Sequence, residues 1–376
     1  MGINTTNRVF GLDIVRCIAI LCVLAGHTIF MLPWQAATTA FSQFFLGYIG
    51  VEIFFVLSGY LVGKIFLELL RDQSFSFALV KHFWTRRWLR TLPAYYLVLV
   101  FYIILFYFDH HVFFFSARDN LLYLVFLQNS FSRHPDFFVH AWSLSVEEWF
   151  YLLLPLWILL FNQLSKRDRL LRGIIIAIVL ITVFRIVIVI VYNPDWNEDI
   201  RMIVPLRLDS LMTGVLMAYI HIYYKWGWYK HAAILFRWGI GLFLLASAWL
   251  CLDAIPDHRM NWFLSKTLLF NFFSLSVAFC MPFMSTIRQA RSRFAGMLIT
   301  WISLRSYSLY LIHILCIFLV SDIYSKVFGR EIVLVKFLCS WIVFLIVAAF
   351  LYRFYERPFM DLRDKTSDIK LVKKSA

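Results

Sequence analysis

Charge is what this sequence has little of. Only 15% of its 376 residues are Asp, Glu, Lys or Arg, against about a quarter in an ordinary soluble domain. Acids are scarcer than bases, 22 against 36, which leaves a net charge of +14. The six cysteines (Cys17, Cys22, Cys251, Cys280, Cys316 and Cys339) form no C-x-x-C pair and lie within or beside apolar stretches. That pattern argues against a disulfide framework or a metal site and for buried free thiols. There is no Walker loop, no H-E-x-x-H and no G-x-S-x-G, so none of those motif-based phosphate, zinc or hydrolase sites is expected. Internal repeats and low-complexity linkers are missing too. In a soluble chain so basic a balance would suggest nucleic acid. Here the bases sit between apolar stretches, and nucleic acid is not an expected partner.

What the sequence has is apolar residues, 62% of the chain, with a mean hydropathy of +0.76. A soluble fold of this length could not bury so much, so lipid is the expected solvent. Ten stretches reach spanning length, at about 12–32, 43–66, 91–108, 143–161, 173–192, 205–223, 234–252, 262–285, 297–320 and 332–352. The expectation is an all-α polytopic membrane bundle of about ten transmembrane helices. No small-residue cleavage site follows the first stretch, which therefore reads as a retained helix. The long connection 109–142 is too aromatic for a tether and is expected to pack on the outer face, with a short helix around Asn120–Leu127.

Lys and Arg placement sets the orientation. With the N-terminus inside, 24 of the 36 bases fall in cytoplasmic segments, among them Arg86, Arg87, Arg90, Lys166, Arg167 and the tail through Lys373 and Lys374. Six fall outside: Arg118, Arg133, Arg201, Arg259, Lys326 and Arg330. Both termini are then cytoplasmic, in a multi-pass protein of the cell (inner) membrane.

An ionisable residue inside a span is costly and marks a functional candidate. Arg16 and His27 lie eleven residues apart in the first stretch, about 16 Å on the helical rise. That puts Arg16 near the cytosol and His27 in the outer half. Arg16 is also spaced to pair with Asp13. His27 is the candidate general base, since imidazole titrates near neutral pH. The fourth stretch, HAWSLSVEEWFYLLLPL, brings two acids to a similar depth. Ser145-x-x-Glu148 fits a capping box, giving Glu148 a structural task. Glu147 is left as the carboxylate to orient His27. Arg185, Arg207 and Asp209 also fall in the outer half and either pair with one another or line an acceptor pocket; His313 is a second outer-half candidate. Lys266, Arg305 and Lys336 lie near span ends and can snorkel. On the cytoplasmic side Arg86, Arg87 and Arg90 could clamp phosphate, with Arg87 and Arg90 on one face if that turn is helical. Ser58-Gly59 and Gly63 form a small-residue strip that admits either a neighbouring helix or a thin ligand.

Six segments, in order from Gly11 to Pro358, resemble the acyltransferase 3 family: GLDIVRCIAILCVLAGH, GVEIFFVLSGY, RRWLRTLPAYY, HAWSLSVEEWFYLLLP, SYSLYLIH and YERP. Glu52 stands where relatives often have Asp. The resemblance implies transfer of an acyl group, often acetyl, from cytoplasmic acyl-CoA to an extracytoplasmic acceptor, commonly a surface-polysaccharide sugar or glycolipid. It marks Arg16, His27, Arg87, Arg90 and Glu147 as functional positions, with acyl-CoA as co-substrate and no tightly bound cofactor. The expected organisation is a transmembrane domain over 1–358 and a basic cytoplasmic tail over 359–376, working without the esterase-like domain of some relatives or with a separate partner. On this reading the CoA phosphates dock on Arg16, Arg86, Arg87 and Arg90, the pantetheine arm passes Ser58 and Gly59, and Arg185, Arg207, Asp209 and His313 face the acceptor. The competing class is a transporter or flippase, which shares the charged interior but needs no phosphate-binding cluster.

Overall fold

The computed structural model describes residues 8–32, 36–72, 76–110, 121–162, 167–254, 262–328 and 332–371. Asn120 and the bases Arg118, Lys166, Arg259, Arg330, Lys373 and Lys374 lie outside the described residues. Regular structure among the described residues is entirely helical. In lipid a backbone must satisfy its own hydrogen bonds, and a helix does so within one segment.

The helices are α1 (Phe10–Gly26), α2 (Ala36–Asp72), α3 (Phe77–His110), α4 (Ala141–Asn162), α5 (Arg167–Tyr192), α6 (Leu208–Tyr223), the short α7 (Lys225–Lys230), α8 (Ala232–Ala254), the short α9 (Phe263–Thr267), α10 (Leu269–Met284), α11 (Arg293–Phe328), α12 (Val333–Leu351) and α13 (Arg357–Leu371). Among the described residues seven candidate spans, carried by α2–α5, α8, α11 and the α12 segment, are long and apolar enough to cross a membrane. The chain is a multi-pass helical membrane protein. The apolar helices α1, α6 and α10 are shorter, at 17, 16 and 16 residues.

Helix faces sort by solvent. On α5, Val179, Leu180, Val183 and Phe184 are exposed while Arg185 is wholly buried. The apolar side suits lipid and the charged side turns inward. Inside, α2 packs along α6, and α1 lies between α2 and α11. Close approach of α2 and α6 depends on glycine: a Cβ at Gly59 would sit 1.9 Å from the Leu211 carbonyl oxygen, and one at Gly214 would sit 2.2 Å from that of Val56. The small-residue strip is thus a helix contact, and Gly59 faces α6, which removes it from the donor-binding set.

Several boundaries differ from the sequence reading. The third helix begins at Phe77 and runs through Pro93, so Arg86, Arg87 and Arg90 ride on one continuous helix. The fourth begins at Ala141, which puts Ser145 inside the helix, where its hydroxyl donates to the Ala141 carbonyl (3.3 Å). There is accordingly no capping box at Glu148. The eighth stretch is broken at Leu268 into α9 and α10. At the break Arg185 Nε donates to the Thr267 carbonyl (2.8 Å), a backbone acceptor that a continuous helix would use itself, while its guanidinium donates to the Leu206 carbonyl (2.7 Å) ahead of α6. Lys266 does not snorkel; it is buried and donates to Asn193 Oδ1 (2.9 Å). The expected short helix before α4 is a 3₁₀ turn over Leu122–Val125. Beyond Pro358 the described tail continues α13, which packs on α3 and brings Asp364 to 3.6 Å from Arg86.

Outside the bundle, Arg133 clamps Asp199 (Nε 2.6 Å, a second contact 2.8 Å) and Glu198 (2.6 Å). Partial burial works to raise the Asp199 carboxyl. The bonds from Arg133 and the Asp195 N–H (3.0 Å) outweigh it and hold Asp199 below the usual carboxylate range.

Candidate active site

The site has two cavities in series. The larger, 1280 Å³, is a cationic vestibule. The smaller, 280 Å³, is an inner pocket lined by α2, α3, α4 and α11, with Phe54, Phe55 and Leu144 among its apolar walls. Arg16 and Arg90 line both and form the neck between them.

Arg16 reaches the neck because its local competitor is already engaged. Asp13 accepts from Arg8 (3.2 Å to Oδ2) and from the Ser303 hydroxyl (2.7 Å), while Arg16 stays 3.8 Å away. The expected Arg16–Asp13 pair is therefore present but long. Arg87 joins Arg90 on the inner-pocket wall, as helical i, i+3 spacing requires. Among the described residues neither Arg87 nor Arg90 has an ion-pair partner. Arg86 does not belong to this group: it turns to the tail helix and lines neither cavity.

Glu147 comes to the inner pocket, on the arginine side. It accepts from the Tyr151 hydroxyl (2.8 Å), which in turn accepts from Ser58 (2.8 Å). The chain Ser58–Tyr151–Glu147 runs along the pocket wall beside Arg16, Arg87 and Arg90. Ser58 therefore lines the inner pocket, and Glu147 does not orient His27. That task falls to the backbone, since His27 Nδ1–H donates to the Val23 carbonyl (2.8 Å) at the end of α1. This fixes the tautomer and leaves Nε2 as the basic nitrogen.

Beyond the inner pocket stands a group of three histidines. The His27 ring meets His313 edge-on at 4.9 Å, and His313 lies 4.8 Å from His140. His313 Nδ1 donates to the Tyr310 carbonyl (2.7 Å) and His140 Nε2 to that of Leu311 (3.0 Å). Their second nitrogens, His313 Nε2 and His140 Nδ1, are buried without a partner among the described residues. Between this group and the pocket sit Tyr310 and Ser143, whose hydroxyls bond to each other. His140 stands in the HAWSLS segment and escaped attention because nothing in one sequence reports contact across helices. Tyr151, four residues after Glu147, carried a usable signal, since i, i+4 residues share a helix face.

Of Arg185, Arg207 and Asp209, the first and last pair with one another, while Arg207 finds a different acid. Arg185 pairs with Asp209 (2.8 Å) and Arg207 with Glu52, all at 0–1% side-chain exposure. Ser210 donates to Glu52 (3.0 Å) and Asn271 to Asp209 (3.1 Å), while Arg207 covers the Phe270 ring at 4.0 Å. The three line neither cavity, so the expectation that they bind the acceptor gives way to a structural ion network. No cluster with metal-binding geometry occurs among the described residues.

The acyltransferase domain of the acyltransferase 3 type matches residues 9–353. Among named proteins, the chain is 30% identical over 222 residues to the peptidoglycan O-acetyltransferase OatA of Listeria monocytogenes, covering 56% of this chain and 33% of that one. It is 30% identical over 205 residues to the putative peptidoglycan O-acetyltransferase YrhL of Bacillus subtilis, covering 50% and 29%. It is 28% identical over 223 residues to the O-acetyltransferase OatA of Staphylococcus aureus, covering 56% and 34%. The matched part is thus about a third of each relative's length. No solved structure matches.

Proposed function

This chain belongs to the acyltransferase 3 family, and on that premise we propose that it is a membrane O-acetyltransferase. It moves an acetyl group from cytoplasmic acyl-CoA to a hydroxyl of an extracytoplasmic carbohydrate, a sugar of peptidoglycan or another surface polysaccharide. The bundle of about ten spans has both termini in the cytoplasm of a cell-membrane protein. One observation carries the reading: a cationic vestibule narrows at Arg16 and Arg90 into a slender pocket lined by Tyr310, whose ring lies against His313, which in turn meets His27. A phosphorylated carrier with a thin arm fits such a funnel; its anionic groups stay with the arginines while the arm enters.

The thioester carbonyl comes to rest at the Tyr310–Ser143 end of the inner pocket. The acceptor hydroxyl arrives from the far side and attacks the carbonyl carbon. His27 Nε2 removes its proton, the C–S bond breaks, and the thiolate recovers a proton to leave as CoA. Glu147 acts through Tyr151 and Ser58 as a positioning residue for the arm. Measuring CoA thiol release by purified protein with acetyl-CoA and a peptidoglycan-derived saccharide tests the reading. Wild type should release thiol only when both substrates are present. The His27→Ala variant should bind acetyl-CoA and release none. Normal turnover by that variant, with a dead His313→Ala variant, would move the base to α11.

A further inference from the structure

The vestibule is wider than the phosphate clamp at its neck needs, and its two flanks differ. On the flank formed by Arg8, Arg357 and Arg363, each arginine contacts a carboxylate: Arg8 meets Asp13 at 2.5 Å, Arg357 meets Asp361 at 3.9 Å and Arg363 meets Asp364 at 2.8 Å. Around His221 stand Lys64, Lys225 and Arg288, from α2, the start of α7 and the loop after α10, and they make up the other flank. The acid paired there is Glu68, 4.0 Å from Lys64. Lys225 and Arg288 have no ion-pair partner among the described residues.

That flank also carries an ordered aromatic wall. The Tyr60 hydroxyl donates to His221 Nδ1 (2.5 Å), and His221 Nε2 reaches the Tyr229 hydroxyl (3.3 Å). His221 stacks on Trp228 at 4.6 Å and 9°, and Trp228 Nε1 is tied to Ser285 Oγ (2.8 Å). Tyr60, His221 and Tyr229 all line the vestibule, with Tyr229 half-buried beside the three cations. Flat, rigid rings next to uncompensated lysine and arginine suit one ligand chemistry: a purine base that stacks and a phosphate monoester that takes charge-assisted hydrogen bonds.

Resting on the acyl-CoA reading above, we propose that this flank is a nucleotide subsite. The adenine stacks on the Tyr229 ring, which stands at 88° to His221 and is held by it through its hydroxyl, and Lys64, Lys225 and Arg288 hold the ribose 3′-phosphate, while Arg16 and Arg90 keep the diphosphate at the neck. The donor is thereby required to be a complete CoA thioester, in preference to a 3′-dephospho-CoA or acyl-pantetheine thioester.

The test is equilibrium binding of acetyl-CoA, acetyl-3′-dephospho-CoA and acetyl-pantetheine to the full chain in detergent. Wild type should prefer acetyl-CoA to its 3′-dephospho form by about ten- to a hundred-fold, the value of one or more phosphate contacts. Lys225→Ala/Arg288→Ala should erase that preference and leave affinity for the dephospho form unchanged. Tyr229→Ala should weaken both nucleotide donors and spare acetyl-pantetheine. Arg90→Ala should weaken both nucleotide donors equally and so keep the preference intact. Equal wild-type affinity for the two nucleotide donors overturns the subsite, as does a preference that survives in the Lys225/Arg288 variant. Failure of wild type to bind any of the three thioesters would instead sink the acyl-CoA reading and the subsite with it.

Discussion

Arg185→Met separates a structural arginine from an acceptor-binding one. Arg185 and Asp209 are buried at 0% and 1% side-chain exposure and lie 2.8 Å apart. Methionine keeps much of the volume but strands the Asp209 carboxylate and removes donors from the Thr267 and Leu206 carbonyls and from Asn271 Oδ1. Breaking one partner of a buried pair costs about 3–5 kcal/mol, and the abandoned carbonyls push the value to the upper end. In a thermal melt in detergent this is a drop on the order of 5–10 °C. Adding Asp209→Asn removes the stranded charge and should restore part of it, with a coupling of about 1–3 kcal/mol in the double-mutant cycle. The fraction that stays folded should keep the wild-type KM for acceptor. A variant that melts with wild type while its acceptor KM climbs tenfold would refute the structural assignment and return Arg185 to the acceptor site.

Three further outcomes are expected. Arg87→Ala and Arg90→Ala should each weaken acetyl-CoA binding about ten- to a hundred-fold, with Lys restoring only part because it lacks the planar fork; isothermal titration of unchanged affinity in the double variant would reduce both to membrane anchors. Gly59→Ala should destabilise by about 1–3 kcal/mol or prevent insertion, since its Cβ meets the Leu211 carbonyl; an unchanged melt would mean α2 and α6 can separate freely. On a Cys-free background, a cysteine at Arg167 should react only from the cytoplasmic side and one at Asp195 only from outside, and the reverse pattern would overturn the orientation.

Periodicity and charge carried the sequence reading where one helix settles the matter. Each of the ten apolar stretches contains helix, with seven candidate spans among the described residues, and Arg87 and Arg90 share a face because three residues make nearly one turn. It failed where the answer lay between helices. Glu147 and His27 stand at comparable depth in the sequence, yet helical phase sends Glu147 to Tyr151 and the arginines. Gly59 could face a ligand or a helix, and only the approach of Leu211 decides. The capping box at Ser145 was misplaced because α4 starts a turn earlier, and the carbonyl freed at the Leu268 break meets Arg185, more than eighty residues away in the chain. The three-histidine group combines α1, α11 and the start of α4, which no local pattern can announce.

The vestibule has an electrical consequence. On the proposed orientation, water in the wide cavity carries the cytoplasmic potential inward to the Arg16–Arg90 neck, so the transmembrane voltage falls across the remaining septum of Tyr310, Ser143 and the histidines. Moving a unit charge across 100 mV takes about 2.3 kcal/mol, and CoA with its phosphates carries several. On the proposed reading those charges never leave the cytoplasmic equipotential. What crosses the septum is a neutral acetyl group, and any proton taken from the acceptor is the only charge that feels the field. Transfer should therefore depend weakly on membrane voltage, and the septum that limits access to His27 also insulates the bilayer.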